Sequence, residues 1–165
     1  IMDGLVGSEM CIRDRSYQES KTYESGQSAK IAKLKVNGKY YKIGMTICYD
    51  LRFPHLFRDL ALNGADLITV PSVFMHITGK DHWHSLLKAR AIETGCYIVA
   101  PAQYGHYLNK RKSYGHSLIV SPWGKILKDA KTEKNIIITD IDKRQIEIAR
   151  SKIPSLFINK KYKID

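Results

Sequence analysis

From Ser16 onward the apolar positions repeat first with period two and then with a period near 3.6, and each switch marks a change of element. Ala32, Leu34 and Val36 alternate with Ile31, Lys33 and Lys35. Asn37-Gly38 follows, the dipeptide that best tolerates the positive dihedrals of a two-residue hairpin turn. A strand, a tight turn and a return strand through Tyr40, Tyr41 and Ile43 to Ile47 are therefore predicted. Leu56, Phe57, Leu60 and Ala61 then recur at helical spacing behind Pro54, which suits a first helical position, and Gly64 ends the helix. Residues 67–70 read as a short buried strand. A second helix is predicted over residues 81–93, with Trp83, Leu86, Leu87, Arg90 and Ala91 on one stripe. After it come a strand at residues 96–100, a basic loop, a strand at 116–120 and a turn at Pro122-Trp123-Gly124. A strand pair through Ile126-Leu127 and residues 136–139 precedes a last helix, 143–151, which Asp142 caps and which ends before Pro154. Alternating strands and helices without a repeat or linker make one α/β unit.

Residues 1–15 carry neither period. The run from Val6 to Arg15 resembles translated adapter sequence, and it lacks the basic start and long apolar core of a signal peptide. It is set aside as a non-native leader, and the folded domain is assigned to residues 16–165.

Composition narrows the class. A chain of 165 residues with 44% hydrophobic and 26% charged residues has the balance of a soluble globular domain. No apolar run approaches the roughly eighteen residues of a membrane span, so no membrane partner is expected. Three cysteines at irregular spacing (Cys11, Cys48, Cys96) form neither a disulfide framework nor a CxxC zinc pattern, which points to a reducing, cytoplasmic compartment. The net charge of +11 raises the question of nucleic acid. The charges are scattered, however. The densest group, residues 109–112, falls in a loop, and Lys33, Lys35, Lys39 and Lys42 fall on the hairpin, where solvent-facing lysines protect an edge. A solvated basic surface is the better reading, with small anionic substrates as the alternative and no nucleic-acid partner expected. A non-catalytic basic interaction module is the competing class; it lacks an aromatic-basic RNA-binding motif.

Cys48 carries the chemistry of most interest, because it stands where a strand ends and the chain turns into a helix. There a thiol projects away from the sheet, and the backbone N–H groups that follow, starting with Tyr49, point to where an oxyanion would form. On position alone, a cysteine closing an apolar strand is equally a small buried hydrophobe. Cys96, inside an apolar strand, reads as structural. A thiol nucleophile needs a base or a cation beside it, and His55, His76, His82, His84, His106 and His116 are all available as generic partners. His82 and His84 are two apart on a helix and do not share a face, which argues against a metal pair, and no metal is expected.

The segment Gly44-Met45-Thr46-Ile47-Cys48-Tyr49-Asp50-Leu51-Arg52-Phe53-Pro54 resembles the nucleophile region of the nitrilase superfamily of carbon-nitrogen hydrolases. Gly64-Ala65-Asp66, Pro71-Ser72, Thr78-Gly79, His82-Trp83, Ala89-Arg90-Ala91-Ile92-Glu93, Ala102-Gln103, Ser113-Tyr114-Gly115-His116-Ser117, Pro122-Trp123-Gly124 and Asp140-Ile141-Asp142 match further family segments in order, from about Tyr17 to the end. The resemblance implies part of an α-β-β-α sandwich and a glutamate, lysine and cysteine that cleave small amides through a thioester, without metal or organic cofactor. It implies Cys48 as nucleophile, Tyr49 as the oxyanion-hole N–H, and Glu19 as the second glutamate of the site. It also implies a homodimer for the full-length enzyme. The family's first glutamate and its lysine precede the segment matched by residues 16–20, and nothing in residues 1–15 matches them, so the chain alone is expected to be inactive.

Within the family, residues 71–83 and 86–94 most resemble the amidases of deaminated glutathione, whereas residues 18–22 lean towards the ω-amidases of α-ketoglutaramate and α-ketosuccinamate. Both imply a small anionic amide substrate. Arg52 is placed to meet its carboxylate with a bidentate fork, or equally to pair with Asp50 or Asp59, and Phe74 and Thr78 are candidates to line the pocket.

Overall fold

The computed structural model describes residues 9–10, 17–18, 26–106, 112–158, 160–161 and 163–164. Two residue pairs, β1 (Glu9–Met10) and β2 (Tyr17–Gln18), run antiparallel ahead of the main body. The hairpin forms as its turn chemistry requires. Strands β3 (Lys30–Val36) and β4 (Lys39–Met45) pair in continuous register, and both turn residues have positive φ, 48° at Asn37 and 78° at Gly38.

Beyond β4 the chain alternates. Helix α1 (Pro54–Leu62) leads to β5 (Leu67–Thr69), and α2 (His76–Thr94) leads to β6 (Tyr97–Ala100). Strands β4, β5 and β6 are parallel neighbours, so each helix is a crossover. A small hairpin, β7 (Tyr104–His106) with β8 (Lys112–Tyr114), precedes β9 (Leu118–Val120) and β10 (Ile126–Asp129). The six-stranded sheet has the order β10-β9-β6-β5-β4-β3.

Both crossover helices cover the same face. Phe57 and Leu60 from α1 and Trp83 and Leu87 from α2 join Ile68, Ile98 and Val120 in one buried cluster. The pleat shows the asymmetry: Ile68 and Ile98 are fully buried, while their neighbours Leu67, Thr69 and Val99 are half-buried. Helix α3 (Lys143–Lys152) starts as predicted, with Asp142 accepting a hydrogen bond from the Arg144 N–H. Arg150 ties it back to the Thr94 and Ala65 carbonyls.

The structure departs from the expected elements at three places. Helix α2 begins at His76, five residues before the predicted start, because Gly79 lies inside its first turns rather than ahead of them. A Cβ at Gly79 would meet the Tyr114 ring root at 2.5 Å, so this glycine serves a close approach and not a turn. Residues 136–139 are not a strand: Ile136 and Ile138 are 84% and 76% exposed and pair with nothing among the described residues. The expected basic loop is framed by β7 and β8, with residues 107–111 outside the described ones.

Candidate active site

Strand β4 ends in a sharp elbow. Thr46 anchors it on β5: its N–H and its hydroxyl both donate to the Thr69 carbonyl, at 3.1 and 2.8 Å. Cys48 follows with φ 42°, a left-handed conformation that a residue with a side chain adopts only when its surroundings impose it. The imposing contacts are visible. The Cys48 N–H donates to the Pro71 carbonyl at 2.9 Å, and buried Asp50 accepts the Ile47 N–H at 2.9 Å. The turn continues as a 3-10 helix, Cys48–Arg52. Beneath it, buried Arg90 of α2 donates from Nε to the Leu51 carbonyl at 3.0 Å, lies over the Phe57 ring and pairs with Glu93 at 2.8 Å.

Cys48 opens on a cavity of about 540 Å³. Ile47, Cys48 and Tyr49 form one wall, Pro71, Ser72 and Val73 a second, and Pro101, Ala102, Gln103 and Ser117 a third. These segments follow the carboxyl ends of β4, β5 and β6, where parallel sheets place their ligand sites. The walls are fixed by hydrogen bonds between them. Ser72 N–H donates to Pro101 O, Gln103 N–H to Ser72 O, and Ala102 N–H to Ser117 Oγ, all at 2.9 to 3.0 Å. The lining is mainly apolar, which suits retention of a small organic substrate.

The other candidates fall in different places. Tyr49 lies on the cavity wall beside Cys48. Arg52 stands behind it, with its guanidinium 5.3 Å from the Phe74 ring centroid and 5.7 Å from that of Tyr49, and 3.3 Å from His82 Nδ1. Phe74 is buried against Trp83, and Thr78 bonds the Met75 carbonyl in the first turn of α2; neither lines the cavity. Glu19 lies outside the described residues. Among the described residues no histidine lines the cavity either. Cys96 is fully buried; burial pushes its thiol up, against the opposing charge of Arg150. The sequence reading did not anticipate Ser72, Val73, Pro101, Gln103 and Ser117 as walls. Pro71-Ser72, Ala102-Gln103 and Ser117 lie within segments it had singled out, and only the pairing of β5, β6 and β9 assembles them.

A second cluster lies elsewhere. His84 of α2, His116 before β9 and Asp129 of β10 bring their Nε2, Nδ1 and carboxylate atoms within 4.8 Å of one another. Burial works to raise the Asp129 carboxyl, but the Lys131 N–H and the two imidazoles outweigh it and hold the group below its ordinary range.

The carbon-nitrogen hydrolase profile matches residues 9–151. The chain belongs to the carbon-nitrogen hydrolase family. It is 43% identical over 141 residues to the deaminated glutathione amidase of Synechocystis sp., a match covering 86% of this chain and 51% of that protein. It is 45% identical over 150 residues to the enzyme of that name from Dictyostelium discoideum, covering 88% and 50%. The chain thus spans about half the length of these curated relatives. Among solved structures it is similar to Saccharomyces cerevisiae Nit3, a member of branch 10 of the nitrilase superfamily, with a TM-score of 0.74 and 35% identity over 84% of this chain and 49% of that one. It also matches the C. elegans NitFhit protein, with a TM-score of 0.82 and 34% identity over 95% and 38%. This carbon-nitrogen hydrolase chain therefore has the α/β fold of the nitrilase superfamily. No helix among its described residues is long and apolar enough to cross a membrane.

Proposed function

We propose that residues 16–165 supply the nucleophile-bearing part of a thiol amidase that hydrolyses a small anionic amide, with deaminated glutathione as the substrate. The observation that carries this reading is Cys48, held at positive φ on an elbow whose side chain meets a walled cavity at the carboxyl ends of three parallel strands. In the proposed reaction, Cys48 Sγ attacks the amide carbonyl and forms a tetrahedral oxyanion. The Cys48 N–H is committed to Pro71, so the backbone donor nearest the oxyanion is that of Tyr49. The carbon-nitrogen bond breaks as the nitrogen takes a proton and leaves. Water then cleaves the thioester, releasing the carboxylate and restoring the thiol. By resemblance, Glu19 enters as the second glutamate, and a first glutamate and a lysine complete the family's site.

The relatives named deaminated glutathione amidase support the substrate. Residues 18–22 favour the second reading, an ω-amidase of α-ketoglutaramate. The test joins a family-matched upstream segment to this chain and compares the two substrates. Faster hydrolysis of deaminated glutathione, abolished by Cys48→Ala, is expected. A preference for α-ketoglutaramate selects the ω-amidase, and turnover that survives Cys48→Ala refutes the thiol mechanism.

A further inference from the structure

We propose that His84, His116 and Asp129 form a binding site for one divalent transition-metal cation of the zinc class, separate from the Cys48 cavity. None of the three lines that cavity, so the proposal stands independently of the amidase reading. The residues come from three elements: the exposed side of α2, the turn before β9 and the end of β10.

The spacing fits first. Zinc binds imidazole nitrogen and carboxylate oxygen at about 2.0–2.2 Å, so neighbouring ligands on a tetrahedron stand about 3.3–3.5 Å apart. His84 Nε2 lies 3.4 Å from Asp129 Oδ2, and His116 Nδ1 lies 3.0 Å from Oδ1 and 3.1 Å from Oδ2. Both imidazole–carboxylate edges are thus within a few tenths of an ångström of that spacing, and the two imidazole nitrogens lie within 4.8 Å of each other. Two imidazoles and one carboxylate suit zinc and its neighbours, and leave a further coordination position to water.

The positions are also held in place. His116 has φ 57°, and both sides of its backbone are tied: its N–H donates to the Lys131 carbonyl at 2.6 Å, and its carbonyl accepts Trp83 Nε1 at 2.8 Å. The Lys131 N–H fixes Asp129 Oδ1 at 2.7 Å. The Tyr114 ring stacks on His116 at 4.4 Å and meets His84 edge-on at 5.9 Å, restricting both imidazoles. A strained residue kept in place by its surroundings, with its ring aimed at two other donors, has the character of a prepared site. Side-chain exposures of 20 to 28% leave the cluster open to entry from solvent. On a chain of net charge +11, a hard cation held mainly by charge gains little, so magnesium and calcium, which demand several oxygen ligands, are not expected to bind.

The test uses the untagged, folded 165-residue chain with its accessible thiols blocked by N-ethylmaleimide. It is titrated with Zn²⁺ against a chromophoric chelator, and melting is followed with and without the ion. One zinc per chain and a raised Tm are expected, with neither effect from Mg²⁺. Loss of an outer partner alone costs metal sites about 10–100-fold in affinity, so removing a ligand by His84→Gln is expected to weaken binding at least about tenfold and to erase the Tm rise. His84 lies on a half-exposed helix face, where glutamine keeps the helix. Asp129→Asn provides an independent second ligand change, and exposed His55→Gln is the control that leaves binding intact. Failure to bind one equivalent, or an affinity in His84→Gln and Asp129→Asn unchanged from that of the unsubstituted chain, overturns the site and leaves the trio a hydrogen-bonded His-Asp-His contact.

Discussion

Cys48 follows β4 and Cys96 precedes β6, on either side of β5, and the two thiols meet opposite surroundings. Cys96 has no exposed surface, donates to the Ala65 carbonyl at 3.2 Å, and has its thiol pushed up by burial. Cys48 is half-buried on the wall of an open cavity. Alkylation with iodoacetamide is therefore expected to modify Cys48 before Cys96, which reacts only on unfolding; peptide mapping by mass spectrometry reads the order of these two. Faster labelling of Cys96 would show that the elbow does not present its sulfur. The elbow itself rests on Asp50, whose carboxylate caps the Ile47 N–H. Asp50→Ala removes that acceptor and should cost about 1–2 kcal/mol in urea unfolding. It should also slow Cys48 alkylation as the positive φ relaxes, whereas an unchanged rate would place the constraint in the Pro71 bond instead.

At the scale of elements, helix α2 serves both sides of the molecule. Its Arg90 reaches under the Cys48 turn, and its first turns pack Gly79 against Tyr114. Arg90→Met keeps the bulk but strands the Leu51 carbonyl, and a loss of about 2 kcal/mol is expected in chemical denaturation. Gly79→Ala overpacks the Tyr114 contact and should cost about 1–3 kcal/mol, although alanine normally favours a helix. A gain in stability there would refute the close approach. These two residues also show what the sequence made legible. The hairpin, α1, β5, β6 and α3 follow from local signals: Asn37-Gly38, Pro54, Gly64, Asp142. The start of α2 does not, because Gly79 has the same letter as a boundary glycine and only the distant Tyr114 gives its reason. The site divides in the same way. Cys48 stands in a recognisable local motif, but the remaining walls come from residues 71–73, 101–103 and 117, and the metal trio is spread over 45 positions. Strand order brings each set together, and strand order is not written in any single window of sequence.

At the scale of the whole molecule, apolar side chains are distributed unequally over the two faces of the sheet. The helix-covered face is closed, while Leu34 and Val36 of β3, like Ile136 and Ile138, remain open. An alternating Ile-x-Ile segment without a ladder has the composition of a strand awaiting a neighbour. By resemblance, the family's α-β-β-α sandwich would supply such a neighbour in a second layer; this chain spans about half the length of the curated relatives it matches. The chemistry adds a requirement, because Cys48 needs a base and a cation near the oxyanion. We therefore expect the 165-residue chain alone to show no measurable turnover of deaminated glutathione or α-ketoglutaramate. Joined to a family-matched upstream segment carrying a glutamate and a lysine, it should gain turnover together with protection of residues 136–139 from hydrogen exchange. The paired readout separates the two requirements. Protection without turnover would mean that the second layer docks but the imported base is misplaced. Robust turnover by the chain alone would mean that a residue already present, Glu19 included, activates Cys48, and would refute the need for the upstream segment.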